Sequence, residues 1–274
     1  MKTKYIKQII TILLIAIVYQ FNAQETVKIP LTDASKAAHL KISIINGSIS
    51  IKGTDTKEVI ITGNKKESKT YYGGRKTSKN DTNGLKRISN NSLEFSAEEF
   101  DNTVQVRSSV NGTTDFEIEV PKNCSLQLST INKGDIYVKN VNGAIEVSNT
   151  NGKITLQNVS GSVSADALNK DITVVFDEVT PNSSMAFSSL NGDIDVTFPK
   201  DFKADIKMKS ERGEIYTDFD IQSKPSVSTV TKDKNEKGNA YRVKVEKWII
   251  GTINGGGSDI LFKNFNGDVI IRSK

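Results

Sequence analysis

The sequence predicts an all-β chain built as a parallel β-solenoid, a flattened β-helix or β-roll, from short NGxIxV strand-turn units. Three observations predict it: a nine-residue period in mid-chain, apolar/polar alternation inside each unit, and no helical periodicity after residue 23. An antiparallel β meander or sandwich is the alternative, because an Asn-Gly turn also closes a hairpin.

From Gly134 the units read GDIYVKNVN, GAIEVSNTN, GKITLQNVS, GSVSADALN and KDITVVFDE, ending at Glu178. Position 3 is Ile136, Ile145, Ile154, Val163 and Ile172, and position 5 is Val138, Val147, Leu156, Ala165 and Val174. Side chains two apart on a strand share a face, so each unit turns one aliphatic pair inward. Two aliphatics cannot offset the entropy of nine ordered residues, so the units must stack and share a core. Two units would make one coil, which stacks Asn140 on Asn158 and Asn151 on Asn169 as turn ladders. Glycine supplies positive-φ backbone without steric cost, which marks Gly134, Gly143, Gly152, Gly161, Gly192, Gly213 and Gly267 as structural turns. GDIDVTF (192–198) and GEIYTDF (213–219) are expected one coil apart.

The flanks carry the same grammar. INGSISI (45–51) and FNGDVII (265–271) repeat the motif near both ends, and KEVIITG (57–63), LEFSAE (93–98), TVQVRS (103–108), DFEIEV (115–120) and RVKVEKWII (242–250) read as strands. Two polar stretches interrupt them: a basic insertion at about 64–91 and a polar loop at about 222–238.

Residues 1–23 have the order of a secretory signal peptide: Lys2, Lys4 and Lys7 without an acid, an apolar run over 9–19, then a polar end before Gln24. The run is too short for a comfortable membrane span, which needs about 20 residues. Residues 24–274 are thus expected to be a single soluble β-repeat domain, exported to the periplasm, the cell surface or the medium. Without the three signal lysines, 34 Lys and Arg face 32 Asp and Glu, so the mature net charge is +2. That balance argues against a nucleic-acid partner. One His and one Cys exclude a disulfide framework, a zinc finger, a Cys/His dyad and a two-His metal site.

Serial units such as NVNGAIEV, NTNGKITL, SLNGDIDVTFP and RGEIYTDF resemble the bacterial putative-adhesin family of β-strand-repeat proteins of unknown function, itself similar to autotransporter adhesin heads. The resemblance covers roughly 40–273 and is densest at 131–217. It implies export and a solenoid-like fold, and brings no catalytic residues with it.

No catalytic, cofactor or metal site emerges from spacing, and no cofactor is expected. Glu98, Glu99, Asp101, Asp177, Glu178, Glu211 and Glu214 are scattered acids without a pairing signature. The outward Asp193 and Asp195 read as solvated charge, and His39 as an exposed strand residue. Cys124, alternating with Leu126 and Leu128, reads as a buried small hydrophobe. The local charge anomaly is 65–87, with eight Lys/Arg against Glu67 and Asp81. There Lys65, Lys66, Lys69, Tyr71, Tyr72, Arg75 and Lys76 form the candidate binding surface for an acidic glycan or protein.

The functional expectation is a non-enzymatic adhesive or interaction surface at the envelope, meeting a cell-surface glycan or an envelope protein. The alternatives are a periplasmic accessory in envelope sensing or assembly, and a carbohydrate-active β-helix enzyme. Exposed strand edges at the ends of a stack would allow self-association.

Overall fold

Alternating side chains commit each unit to extended backbone, and the computed structural model is all β, with no helix among the described residues. Those residues are 24–66, 94–109, 112–132, 134–224, 229–234, 241–246 and 248–274. The expected signal segment and the basic stretch 67–93 lie outside them.

Most strands join one mixed sheet in which two rows of parallel strands can be followed. Row one runs Thr103–Ser108, Ala38–Asn46, Cys124–Asn132, Asn142–Asn149, the second half of Ile154–Ala167, Met185–Ser189, Ser258–Asn264 and Ala204–Ser210. Row two runs Thr113–Pro121, Ile49–Thr54, Ile136–Lys139, the first half of Ile154–Ala167, Ile172–Val179, Ile194–Phe198, Val269–Ser273 and Ile215–Thr217. One strand of each row, taken consecutively along the chain, makes a rung. In the repeat Ile136 pairs with Ile154 and Ile154 with Ile172, 18 residues per rung, so two nine-residue units do build one rung. These neighbours are parallel, which sets the hairpin alternative aside for the repeat itself.

Parallel pairing is not universal. Antiparallel strands border the stack: Glu58–Lys66 pairs with Thr113–Pro121 and with Gln24–Pro30, and Phe95–Phe100 pairs with Thr103–Ser108. At the other end Ile249–Ile253 lies between Ala204–Ser210 and Ile221–Lys224. A separate hairpin joins Thr229–Lys234 to Tyr241–Glu246. Part of the expected polar loop at 222–238 is therefore strand. So is the start of the expected insertion, since Asn64, Lys65 and Lys66 complete the ladder opposite Asp115, Thr114 and Thr113.

The rungs are not stacked in chain order. The 38–54 rung sits between those of 103–121 and 124–139, and the 258–273 rung between those of 185–198 and 204–217. Ile194 and Ile215 both pair with Val269, so GDIDVTF and GEIYTDF lie two rungs apart, not one. A well-formed NGxIxV rung is buried on both sides, whereas the outermost row-two strand, Ile215–Thr217, is short and largely exposed. Placing the regular rungs inside buries their aliphatics twice and leaves the weaker ones for the caps.

The core follows the register. Phe116, Ile49, Ile136, Ile154, Ile172, Ile194 and Val269 form one column, all buried. Toward the C-terminal end the columns turn aromatic: Phe187 stacks on Phe262 at 5.1 Å, and Phe198 lies between Phe176 at 5.1 Å and Phe202 at 4.3 Å. Cys124 is buried as expected, and burial pushes its thiol up to about 12, so it is inert at neutral pH.

Candidate functional site

Rigid rungs matter for function through what they hold in line. The corner leading from row one to row two reads polar, apolar, Asn, Gly, acid, as in SLNGD (189–193) and NFNGD (264–268). Stacked rungs turn each of these positions into a column.

The glycine column explains why the corner is tight. A β-carbon on Gly152 would collide with the carbonyl oxygen of Gly134, and one on Gly213 with that of Gly267. Close approach between rungs therefore selects glycine here. Among the seven predicted turn glycines only Gly161 has positive φ, at 114°. Gly143 and Gly161 also lie within strands, not turns. Left-handed backbone at the opposite corner falls instead to Asn140 (φ 58°) and Asn158 (φ 53°).

Carbonyls brought so close need partners, and the buried polar column supplies them. Thr130 Oγ1 donates to Gly47 O at 3.0 Å, Asn149 Nδ2 to Gly134 O at 3.1 Å, and Asn264 Nδ2 to Gly192 O at 2.8 Å. Asn149 Oδ1 accepts from Gly152 N at 2.8 Å, and Ser210 Oγ both accepts from Gly213 N and donates to Gly267 O at 2.9 Å. Among the described residues no buried side-chain N or O lacks a partner.

Outside that frame runs a chain of amides. Asn151 Nδ2 donates to Asn132 Oδ1 at 2.9 Å, Asn169 to Asn151 at 2.8 Å, Asn191 to Asn169 at 2.9 Å and Asn266 to Asn191 at 2.7 Å. Arg212, whose guanidinium lies 5.2 Å from the Phe265 ring, occupies the last position. The expected Asn151–Asn169 stack is thus one step of a longer ladder. Of the other expected pair, Asn158 Nδ2 reaches Asp177 Oδ1 at 3.3 Å.

Beside the amides stands an apolar column that sequence reading missed. Ile45, Ile131, Leu168, Leu190 and Phe265 each precede the ladder position and are 38–44 % exposed, while Thr150 and Glu211 take that place before Asn151 and Arg212. They make up five of the eight large hydrophobics exposed among the described residues, so the exposure belongs to this corner and is not scattered. The signal was present as the residue before each Asn, once the units are aligned on that Asn.

The third column is mainly acidic. Asp135 Oδ1 accepts from Lys153 N at 2.8 Å, Asp193 Oδ1 from Asp268 N at 2.9 Å, and Asp268 Oδ1 from Glu214 N at 2.8 Å. These carboxylates bond the next rung's backbone and border the amides. Asp195, expected as solvated charge, instead pairs with Arg272 at 2.9 Å, and that bond raises the guanidinium pKa.

Of the predicted basic surface, Lys65 and Lys66 end the strand Glu58–Lys66, and Lys66 pairs with Asp115 of the acidic column. Lys69, Tyr71, Tyr72, Arg75 and Lys76 lie outside the described residues. The scattered acids have mostly structural partners: Glu99 accepts from Thr32 and Asn102, and Glu211 pairs with Lys209 at 2.6 Å. Asp177 and Glu178 line an open groove at the opposite corner with Asp201 and Lys203, and Asp177 pairs with Lys274 at 2.6 Å. Among the described residues no group of three or more His, Cys, Asp or Glu is placed to hold a metal ion, and no helix is long and apolar enough to cross a membrane.

No family model and no curated protein matches the chain. Among solved structures, a "putative cell adhesion protein" from Clostridium sporogenes is similar over 92% of this chain and 99% of its own, at 13% identity and a TM-score of 0.43. A "putative adhesin" from Bacteroides fragilis is similar over 92% and 97%, at 12% identity and a TM-score of 0.31.

Proposed function

We propose that the chain is an exported, non-enzymatic β-solenoid whose stacked rungs present an adhesive or interaction surface at the cell envelope. In this reading the two parallel rows are the faces of flattened coils, the antiparallel strands cap them, and residues 1–23 direct export. The single observation that carries the reading is the exposed apolar column running beside the asparagine ladder. A large apolar side chain left in water at the same position of five rungs, with Thr150 between Ile131 and Leu168, is a surface prepared for a partner. In the frame behind it no buried side-chain N or O among the described residues lacks a partner, so little order remains to be imposed on binding.

The test is protease accessibility of tagged full-length protein on intact cells, with a periplasmic control. Digestion on intact cells supports a surface role. Protection that ends when the envelope is opened removes adhesion and leaves the periplasmic accessory. Retention in the cytoplasm contradicts export altogether.

A further inference from the structure

The ladder corner has a shape and a charge that restrict its occupant. Its seven positions from Asn46 to Arg212 span about 29 Å at roughly 4.8 Å per rung, yet the strip is only two residues wide. At about 3.3 Å per residue that is on the order of 200 Å², well under the roughly 800 Å² per partner of a stable protein interface. A second copy or a globular partner is therefore poorly matched, and a slender linear polymer is well matched.

The chemistry of the columns narrows the class. In the ladder Asn169 and Asn191 each use one N–H and one lone pair on neighbouring amides. A carboxamide has two of each, which leaves a donor and an acceptor per side chain outside the ladder. That is the complement of a hydroxyl group. Leu168, Leu190 and Phe265 alongside offer apolar surface to the C–H face of a sugar ring. Along the seven ladder positions the charges among the described residues are Asp135, Asp171, Asp193, Glu211, Glu214 and Asp268 against Lys153, Lys170, Lys209 and Arg212, and the next rung adds Asp115 paired with Lys66. The excess of carboxylates repels a polyanion.

We infer that the asparagine–aliphatic corner binds a neutral linear polysaccharide, with its chain along the ladder and the sugar C–H faces on the apolar column. The inference rests on the interaction-surface reading and specifies its partner. It differs from the basic-segment expectation, which calls for an acidic glycan.

Affinity gel electrophoresis of the full chain tests it, with hydroxyethyl cellulose as the neutral polymer and polygalacturonate as the polyanion. The neutral gel is expected to retard the protein, and Leu168→Glu with Leu190→Glu to weaken retardation at least tenfold. Both side chains are exposed, so circular dichroism and melting should stay unchanged, and Lys52→Glu on a row-two strand should keep wild-type retardation. Retardation by polygalacturonate alone, or neutral retardation indifferent to the double substitution, overturns the inference. If the double variant loses attachment to cells while neither polymer retards the wild type, the surface reading stands and the polysaccharide falls. If neither polymer nor cells are bound, both fall.

Discussion

The two corners of the rung obey different rules although the same strands feed both. The ladder corner is nearly identical in length from rung to rung, with glycine backbones in contact and buried Thr130, Asn149, Ser189 and Asn264 and half-buried Ser210 behind them. The opposite corner varies: Lys139 and Asn142 are separated by a short turn, whereas 180–184 and 199–203 are longer loops around an open groove. Uniformity at one corner lets rungs from distant parts of the chain interleave, because 38–54 and 258–273 present the same columns as their neighbours. Variation at the other absorbs differences in connection length.

Substitutions at matched positions sharpen that contrast. Gly152→Val should produce the largest loss, roughly 4 kcal/mol or failure to fold, because the Gly134 carbonyl stands where the side chain must go. Gly255→Ala at the opposite corner should cost only about 1–2 kcal/mol, for its φ of 86° in otherwise open space. Urea denaturation of both reads the difference directly. Asn149→Leu comes next at about 2–4 kcal/mol, since Gly134 O and Gly152 N lose their partner inside the protein. Its counterpart, Asn158→Gly, should stay within about 0.5 kcal/mol, because it keeps a residue at home with φ 53°. A half-buried rung of the ladder is cheaper: Asn169→Ala should cost about 1 kcal/mol. If it costs as much as Asn149→Leu, the ladder is part of the frame and not its outer face.

The smallest effect concerns pH at the capping end. Hydrogen bonds from Thr32 N and Oγ1 and from Asn102 N hold Glu99 below its ordinary value of 4.5. A depressed carboxylate stabilises the fold above its unfolded pKa, and the contribution fades as pH falls through the folded value. Glu99→Gln should therefore melt slightly lower than wild type at neutral pH and match it once the solution is acidic enough to protonate Glu99. A deficit that persists or widens in acid would assign Glu99 another role.

Much of this frame was legible in the sequence. Alternation at Ile136/Val138 and its successors set the inward columns, and the nine-residue period set two strands per rung. Asn151 over Asn169 followed from the same arithmetic. Stacking order did not follow, because INGSISI and FNGDVII present surfaces almost equivalent to those of their neighbours, so periodicity carries no information about sequence. The apolar column was hidden for a similar reason: Leu168 and Leu190 look like core residues until the register turns them outward. Glycine was read through φ where the deciding quantity was distance between rungs.

Engineered cysteines at ladder positions test the interleaved stack most directly. A disulfide needs Cα atoms closer than about 7 Å, which adjacent rungs satisfy and rungs two apart, at about 9.6 Å, do not. The buried Cys124 thiol, with its pKa near 12, will not compete. Asn191→Cys with Asn266→Cys should cross-link nearly completely on mild oxidation, despite 75 residues of intervening chain. Asn191→Cys with Arg212→Cys should stay reduced. The opposite pattern would mean that the rungs stack in chain order, and the Asn191–Asn266 step of the ladder would not exist.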